Sequence, residues 1–276
     1  MRVHHLNCGS MHPLGGRLML AAEDAGPPHM VCHVLLIETG DTLVLVETGL
    51  GTEDVRHPDV RLGKPFRHIV RPPLRPAETA IEQIRGLGLN PDDVRHILLT
   101  HLDLDHAGGV TDFPQARVHV LADEKAAADA HAHWKERERY RPPQFASHKH
   151  WSLHQPDGEA WFGFDAVREL EGLPPEILMI PLAGHTRGHA AIAVDTGAGW
   201  LLHAGDAYFH RHEMQAKPRC PLGLRLFQQL VAMDNERRAA NQDRLRQLAV
   251  SQANEVRVFC AHDAAELAQC RASRPA

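Results

Sequence analysis

The sequence predicts an α/β domain, and three observations carry that prediction. Strand-length apolar runs alternate with longer stretches of helical periodicity along most of the chain. Four of those apolar runs end in side chains able to bind metal, at His101, His185, Asp206 and His262. With 276 residues, 43 % of them hydrophobic, and neither a fixed-period repeat nor a low-complexity linker, the chain reads as one domain, residues 1–276.

The elements follow in order. "VCHVLLIETGDTLVLVETGLG" holds two apolar runs, Val31 to Ile37 and Thr42 to Val46, on either side of Gly40-Asp41, which reads as an antiparallel hairpin. Next comes a helix with apolar positions at Ala80, Ile81, Ile84 and Leu87, then a turn at Asn90-Pro91 and a strand carrying Ile97 to Leu99. A second strand through Val118 to Leu121 leads into an alanine-rich helix. Residues 131–165 differ in texture, with Pro142-Pro143 and histidines at 131, 133, 148, 150 and 154, and read as an insertion (about 130–165) that covers a site. Strand patterning resumes in "EILMIPLAGHTRGHAAIAVDTGAGWLLHAGDAYF". A long helix, roughly Leu224 to Ala249, precedes a last strand, "EVRVFCAHD".

Composition excludes several functions. A net charge of -5 supplies no basic field to draw the chain to nucleic acid. Five cysteines without a C-x-x-C pair argue against a disulfide framework or zinc ribbon, and the N-terminus lacks an export-type apolar segment. No run approaches the ~20 apolar residues of a membrane helix. The expectation is a cytoplasmic protein with a small-molecule substrate, no nucleic-acid or membrane partner, and a homodimer as the assembly to test. Histidine, with 22 copies, is the compositional outlier.

"THLDLDHAGG" (100–109) crowds two imidazoles and two carboxylates at a strand end, with Leu102 and Leu104 interleaved and demanding burial. Imidazole and carboxylate donors suit zinc and its neighbours, and more than four of them suggest two metals. The ordered series "VETGLG", "THLDLDHAGG", "GHTRGH", "HAGD" and "CAHD" resembles the metallo-β-lactamase superfamily over roughly residues 31–263. That resemblance implies a four-layer αββα sandwich with its site at one edge. It implies that His101, Asp103 and His185 hold one metal, that Asp105, His106 and His262 hold the other, and that Asp206 bridges. His189 is then a hydrogen-bonding neighbour and Glu47 a support for backbone or for a ligand histidine.

Two departures stand out. Asp103 occupies a position where most members have His, and Glu47 one where Asp is usual. A carboxylate at 103 favours iron or manganese relative to an all-imidazole set, although zinc remains the leading expectation for the two divalent ions. Asp103 could also face away as a hydrogen-bond acceptor. If it binds, two divalent ions with three aspartates leave one formal positive charge where the usual two aspartates leave two. Bound water should then be less acidic, and Asp103→His should keep the metals and lower the pH optimum.

The function implied is hydrolysis of an ester-like bond, a lactone first of all, with Asp105 protonating the leaving oxygen. "HAGDAYF" is similar to N-acyl homoserine lactonases, in which a tyrosine close behind the bridging aspartate polarises the carbonyl. Tyr208 therefore has two readings, that role or packing. Rival readings are a hydroxyacylglutathione-like thioesterase, an iron redox protein related to flavodiiron enzymes, and a metal-bearing sensor without turnover.

Overall fold

The structure is a computed structural model that describes residues 1–20, 29–40, 42–166 and 170–273. Six strands form the first sheet in chain order: β1 (Arg2–Met11), β2 (Met30–Thr39), β3 (Thr42–Val46), β4 (Val94–Leu98), β5 (Arg117–Leu121) and β6 (Trp151–His154). β1, β2 and β3 pair antiparallel, and β3 through β6 run parallel. A small hairpin, β7 (Glu159–Trp161) and β8 (Phe164–Ala166), leads to the second sheet. There β9 (Ile177–Pro181), β10 (Ala190–Asp195), β11 (Trp200–His203) and β12 (Val256–Phe259) lie in the order β12-β11-β10-β9.

The helices are α1 (Thr52–Arg56), α2 (Pro58–Arg61), α3 (Gly63–Val70), α4 (Ala80–Gly86), α5 (Ala122–Ala130), α6 (Trp134–Arg139), α7 (Pro142–Phe145), α8 (Leu222–Val231), α9 (Asn235–Ser251) and α10 (Ala264–Ala272).

Alternation along the strands builds the layers. In β2, Leu35 and Ile37 point to one face and Val34 and Leu36 to the other, and all four are fully buried. Leu35 and Ile37 pack with Val44, Val46 and Leu98 against Met179, Ile192 and Phe259 of the second sheet. Val34 and Leu36 pack with Leu45, Ile97 and Val118 against Ala80 and Ile84 of α4. On the far side, Leu178, Ile180 and Ala193 meet Leu245 and Leu248 of α9. The result is helix, sheet, sheet, helix, the expected sandwich. Each fully buried Val, Leu or Ile in these layers is worth roughly 1.5–3 kcal/mol relative to exposure.

Three features differ from the sequence reading. β1 was not expected, because His4, His5 and Asn7 break its apolar run. It forms because the sheet pairs it along β2, from Arg2 opposite Glu38 to Met11 opposite Met30. The single long helix is two. The chain leaves α8 at Ala232, and the N–H groups of Met233 and Asp234 donate to the carbonyls of His185 and Gly184 before the Asp234 carboxylate accepts from Arg237 N to start α9. The segment 130–165 does two jobs: α6 reaches the site, whereas β6 extends the first sheet. The hairpin between β2 and β3 is present, with Thr39 opposite Thr42; Asp41, the second residue of the expected turn, lies outside the described residues.

Candidate metal centre

The site forms at one edge of the sandwich, just beyond the ends of β4, β9, β11 and β12. Those strand ends deliver His101, His185, Asp206 and His262 respectively. The segment after β4 also brings Asp103, Asp105 and His106, and its path is pinned from every side. Leu102 and Leu104 are buried, which accounts for the leucines between the polar residues. Leu102 N donates to Glu124 Oε1 at 2.9 Å, and Gln144 Nε2 donates to Leu104 O at 2.8 Å. Arg61 Nη2 donates to Gly108 O at 2.8 Å, and Thr48 Oγ1 to His106 O at 2.7 Å.

Among the described residues, two groups of donor atoms converge: His101, His185 and Asp206, and Asp105, His106 and His262. Asp206 stands between them. Its Oδ2 lies 3.4 Å from His185 Nε2 and 3.8 Å from His101 Nε2. Its Oδ1 lies 3.0 Å from His262 Nε2 and 3.3 Å from His106 Nε2. Asp105 approaches the second group, with Oδ2 3.7 Å from His262 Nε2. Asp103 approaches the first, with Oδ2 3.1 Å from His185 Nε2 and 3.5 Å from His101 Nε2. Every metal-ligand candidate read from the sequence is thus gathered at one centre.

Outer contacts set which ring nitrogen faces inward. His262 Nδ1 donates to Val31 O at 2.8 Å, and His106 Nδ1 donates to Glu47 Oε2 at 3.0 Å, so both present an Nε2 lone pair to the centre. His101 Nδ1 pairs with Thr100 Oγ1 at 2.8 Å. Glu47 also accepts from Thr100 N at 2.7 Å, tying β3 to the motif segment. Burial alone would push its carboxyl up, but His106 brings it down to about 2, so it acts as a carboxylate. Glu47 holds this place in a left-handed conformation, φ 67°, at a cost of about 1–3 kcal/mol. His189 is a neighbour, its Nε2 accepting from Asp206 N at 2.9 Å. Just before that aspartate, Gly205 has φ 53°, and a Cβ there would stand 2.6 Å from His189 Nε2.

A metal fits this donor set. His101 Nε2, His106 Nε2 and Asp206 Oδ1 are buried without a hydrogen-bond partner, a costly condition that a cation relieves. Burial also opposes the charge on Asp206, yet His262, His106 and His185 hold its carboxyl well below the usual carboxylate range.

Tyr208 does not join the centre. It is fully buried, and its hydroxyl donates to Glu266 Oε1 at 2.8 Å, inside the core beneath α9. The alternation of the chain turns Phe209 toward the site instead, where its ring stacks on His262 at 5.2 Å. The carbonyl-polarising role read for Tyr208 is therefore corrected to packing. The histidines of 131–165 are absent from both donor groups; His133 caps α6, and His148 bonds to Ala116 O.

A cavity of about 420 Å³ opens onto Asp103, Asp105, His185, Asp206 and His262. Its apolar lining includes Met11, Met30, Phe66, Val70, Phe209 and Phe227, which pack as one hydrophobic cluster. Two important residues left no trace in the sequence reading. Glu124, flanked by Asp123 and Lys125 on a helix that otherwise reads as an alanine-rich surface element, accepts from both Leu102 N and Gly188 N. Arg139 lies in "WKERER", which reads as a solvated helix, and yet it is buried beside Asp103.

Comparison with known proteins agrees with this geometry. The sequence model of the Metallo-beta-lactamase superfamily matches residues 28–249. A probable metallo-hydrolase of Mycobacterium tuberculosis is 43 % identical over 263 residues, covering 95 % of this chain and 80 % of that protein. The chain belongs to the metallo-β-lactamase superfamily. Within the superfamily it is also similar to an N-acyl homoserine lactonase of Bacillus thuringiensis, 24 % identical over 181 residues and 65 % of each chain. The fold matches a solved N-acyl homoserine lactone hydrolase bound to N-hexanoyl-L-homoserine, with a TM-score of 0.72 and 20 % identity over 98 % of this chain and 96 % of that one. The protein is thus a metal-dependent hydrolase related to lactonases.

Proposed function

We propose that this protein is a binuclear hydrolase that cleaves the ester bond of a lactone bearing an apolar substituent. The observation that carries the reading is Asp206, with one oxygen turned to each histidine pair. His101, Asp103 and His185 would hold one divalent cation, Asp105, His106 and His262 the other, with Asp206 shared; zinc suits this mixture of imidazole and carboxylate. When bound, the pair supplies Lewis acidity, making water a competent nucleophile near neutral pH and polarising the carbonyl.

The chain supplies the rest. The histidines and Glu47 fix the donor geometry before substrate arrives, so little reorganisation accompanies reaction. The apolar walls of the cavity desolvate the acyl or alkyl part of the substrate and orient its carbonyl toward Asp103 and Asp105. The new C–O bond forms from water as the ring C–O bond breaks. Asp105, which lines the cavity and retains some exposure, carries the proton released by water to the departing alkoxide oxygen.

Support for a lactone comes from the apolar cavity and from lactonase relatives; Tyr208 no longer contributes to it. The test is a panel of N-acyl homoserine lactones, simple lactones, open esters, thioesters and phosphoesters, assayed on protein of known metal content. Turnover of lactones at least tenfold above the other classes is expected from the differential fit. Thioester or phosphoester preference, or inertness toward all classes with both groups loaded, would overturn the reading.

A further inference from the structure

Asp103 replaces the superfamily's usual histidine, and the fold supplies it with a partner. Its Oδ2 faces His185 and His101, whereas its Oδ1 faces Arg139 Nη1 at 3.6 Å. Arg139 is 8 % exposed, and its guanidinium is clamped by two carbonyls from separate segments, His185 O at 3.0 Å from Nη1 and Val231 O, at the end of α8, at 2.6 Å from Nη2. A buried guanidinium held by neutral carbonyls alone is costly, so a carboxylate in its line of sight matters.

We propose that Arg139 and Asp103 act as one unit in place of the missing histidine, with the arginine presenting a single carboxylate oxygen to the first metal group and cancelling the charge that the carboxylate adds. This rests on the metal-centre reading above. It also changes the charge count. One formal positive charge, summed over two divalent ions and three aspartates, omitted Arg139; with it the total returns to two, as in an all-histidine site. Arg139 is a positioning residue, acting through Asp103.

The pairing makes the effect of Asp103→His different from the one read from sequence. That substitution leaves Arg139 facing a neutral ring and a cation, so metal binding should weaken. The experiment is a double-mutant cycle read as zinc affinity and stoichiometry by competition with a chromophoric chelator, with folding checked by circular dichroism. Asp103→His is expected to lose about 100-fold in affinity at one of the two ions, and adding Arg139→Gln, which removes the cation, to recover about tenfold of that loss. Adding Arg139→Lys instead, which keeps the cation, should recover nothing. Arg139→Gln in the native background should give no such gain.

A purely structural Arg139, bracing the His185 and Val231 carbonyls, would make Arg139→Gln equally harmful in both backgrounds, and that result overturns the proposal. Should the glutamine variants fail to fold, recovery on adding Arg139→Lys to Asp103→His would overturn it as well. If the native protein binds no metal, the functional reading falls and this inference with it; native binding of two ions without recovery in the double variant ends this inference alone.

Discussion

Tyr208 and Phe209 are adjacent, yet their environments are opposite. One hydroxyl is committed to Glu266 in the core, and the other ring covers His262. Tyr208→Phe should therefore leave kcat and KM for the best substrate within about twofold, while lowering stability by about 1 kcal/mol through the lost buried hydrogen bond; steady-state kinetics and thermal melting separate the two effects. Glu266 adds a pH signature. Burial and the nearby Asp263 raise its carboxyl to about 8, above an ordinary glutamate. The folded state therefore holds its proton more tightly than the unfolded chain. That contribution to stability is complete below about pH 4.5 and is lost as pH rises through about 8. Glu266→Gln should flatten this part of the stability curve in denaturant titrations between pH 5 and 9, taken as a rough window. The sequence could single out the candidate ligands because ligand chemistry is local: His101, Asp105, His106, His185, Asp206 and His262 stand out by residue type at or just beyond strand ends. It could not decide where Tyr208 points, because one step along an irregular segment moves a side chain to the other face.

At the scale of elements, the strands beside the site were legible because their apolar runs are continuous, as in Ile97 to Leu99. β1 was not, since its polar residues disguise a strand that only pairing with β2 stabilises. The break between α8 and α9 was equally hidden. Neither glycine nor proline interrupts residues 224–249, and the cause of the break is tertiary: Met233 N and Asp234 N donate to the carbonyls of His185 and Gly184. That break gives α8 its own direction, so that Phe227 and Val231 can wall the cavity. Phe227→Trp should fill part of the cavity and raise KM for long-chain substrates by about tenfold with little change for short ones, consistent with roughly 1–3 kcal/mol of pocket discrimination; equal effects on both would show that α8 does not line the acyl path. The turn after β11 makes a sharper demand. Gly205→Ala would force a side chain against His189 and Thr100 at a positive φ, costing about 1–3 kcal/mol and displacing Asp206. Metal analysis should show loss from both groups.

For the molecule as a whole, the αββα layering follows from alternation in strands buried on both faces, and the order of motifs was enough to place the family. Substrate chemistry was much less visible. The cavity is assembled from Met11, Met30, Phe66, Phe209 and Phe227, which lie far apart in the chain and carry no shared motif. Arg139 escaped for a related reason: a charged residue in a helix rich in charge looks solvated until the fold buries it. Cofactor dependence is a global property too, because four strand ends converge on one buried cluster of charges. Chelation should lower the melting temperature by several degrees, in keeping with metal binding that is coupled to the folded state, and zinc should restore it.

The most direct test of the account is metal stoichiometry in the native protein and in Asp206→Asn, measured by mass spectrometry on native-state protein after loading and desalting. Two ions per native chain, falling to one or none in the variant as lactone hydrolysis collapses, is the predicted result. A single ion in both proteins, with hydrolysis unchanged, would contradict it.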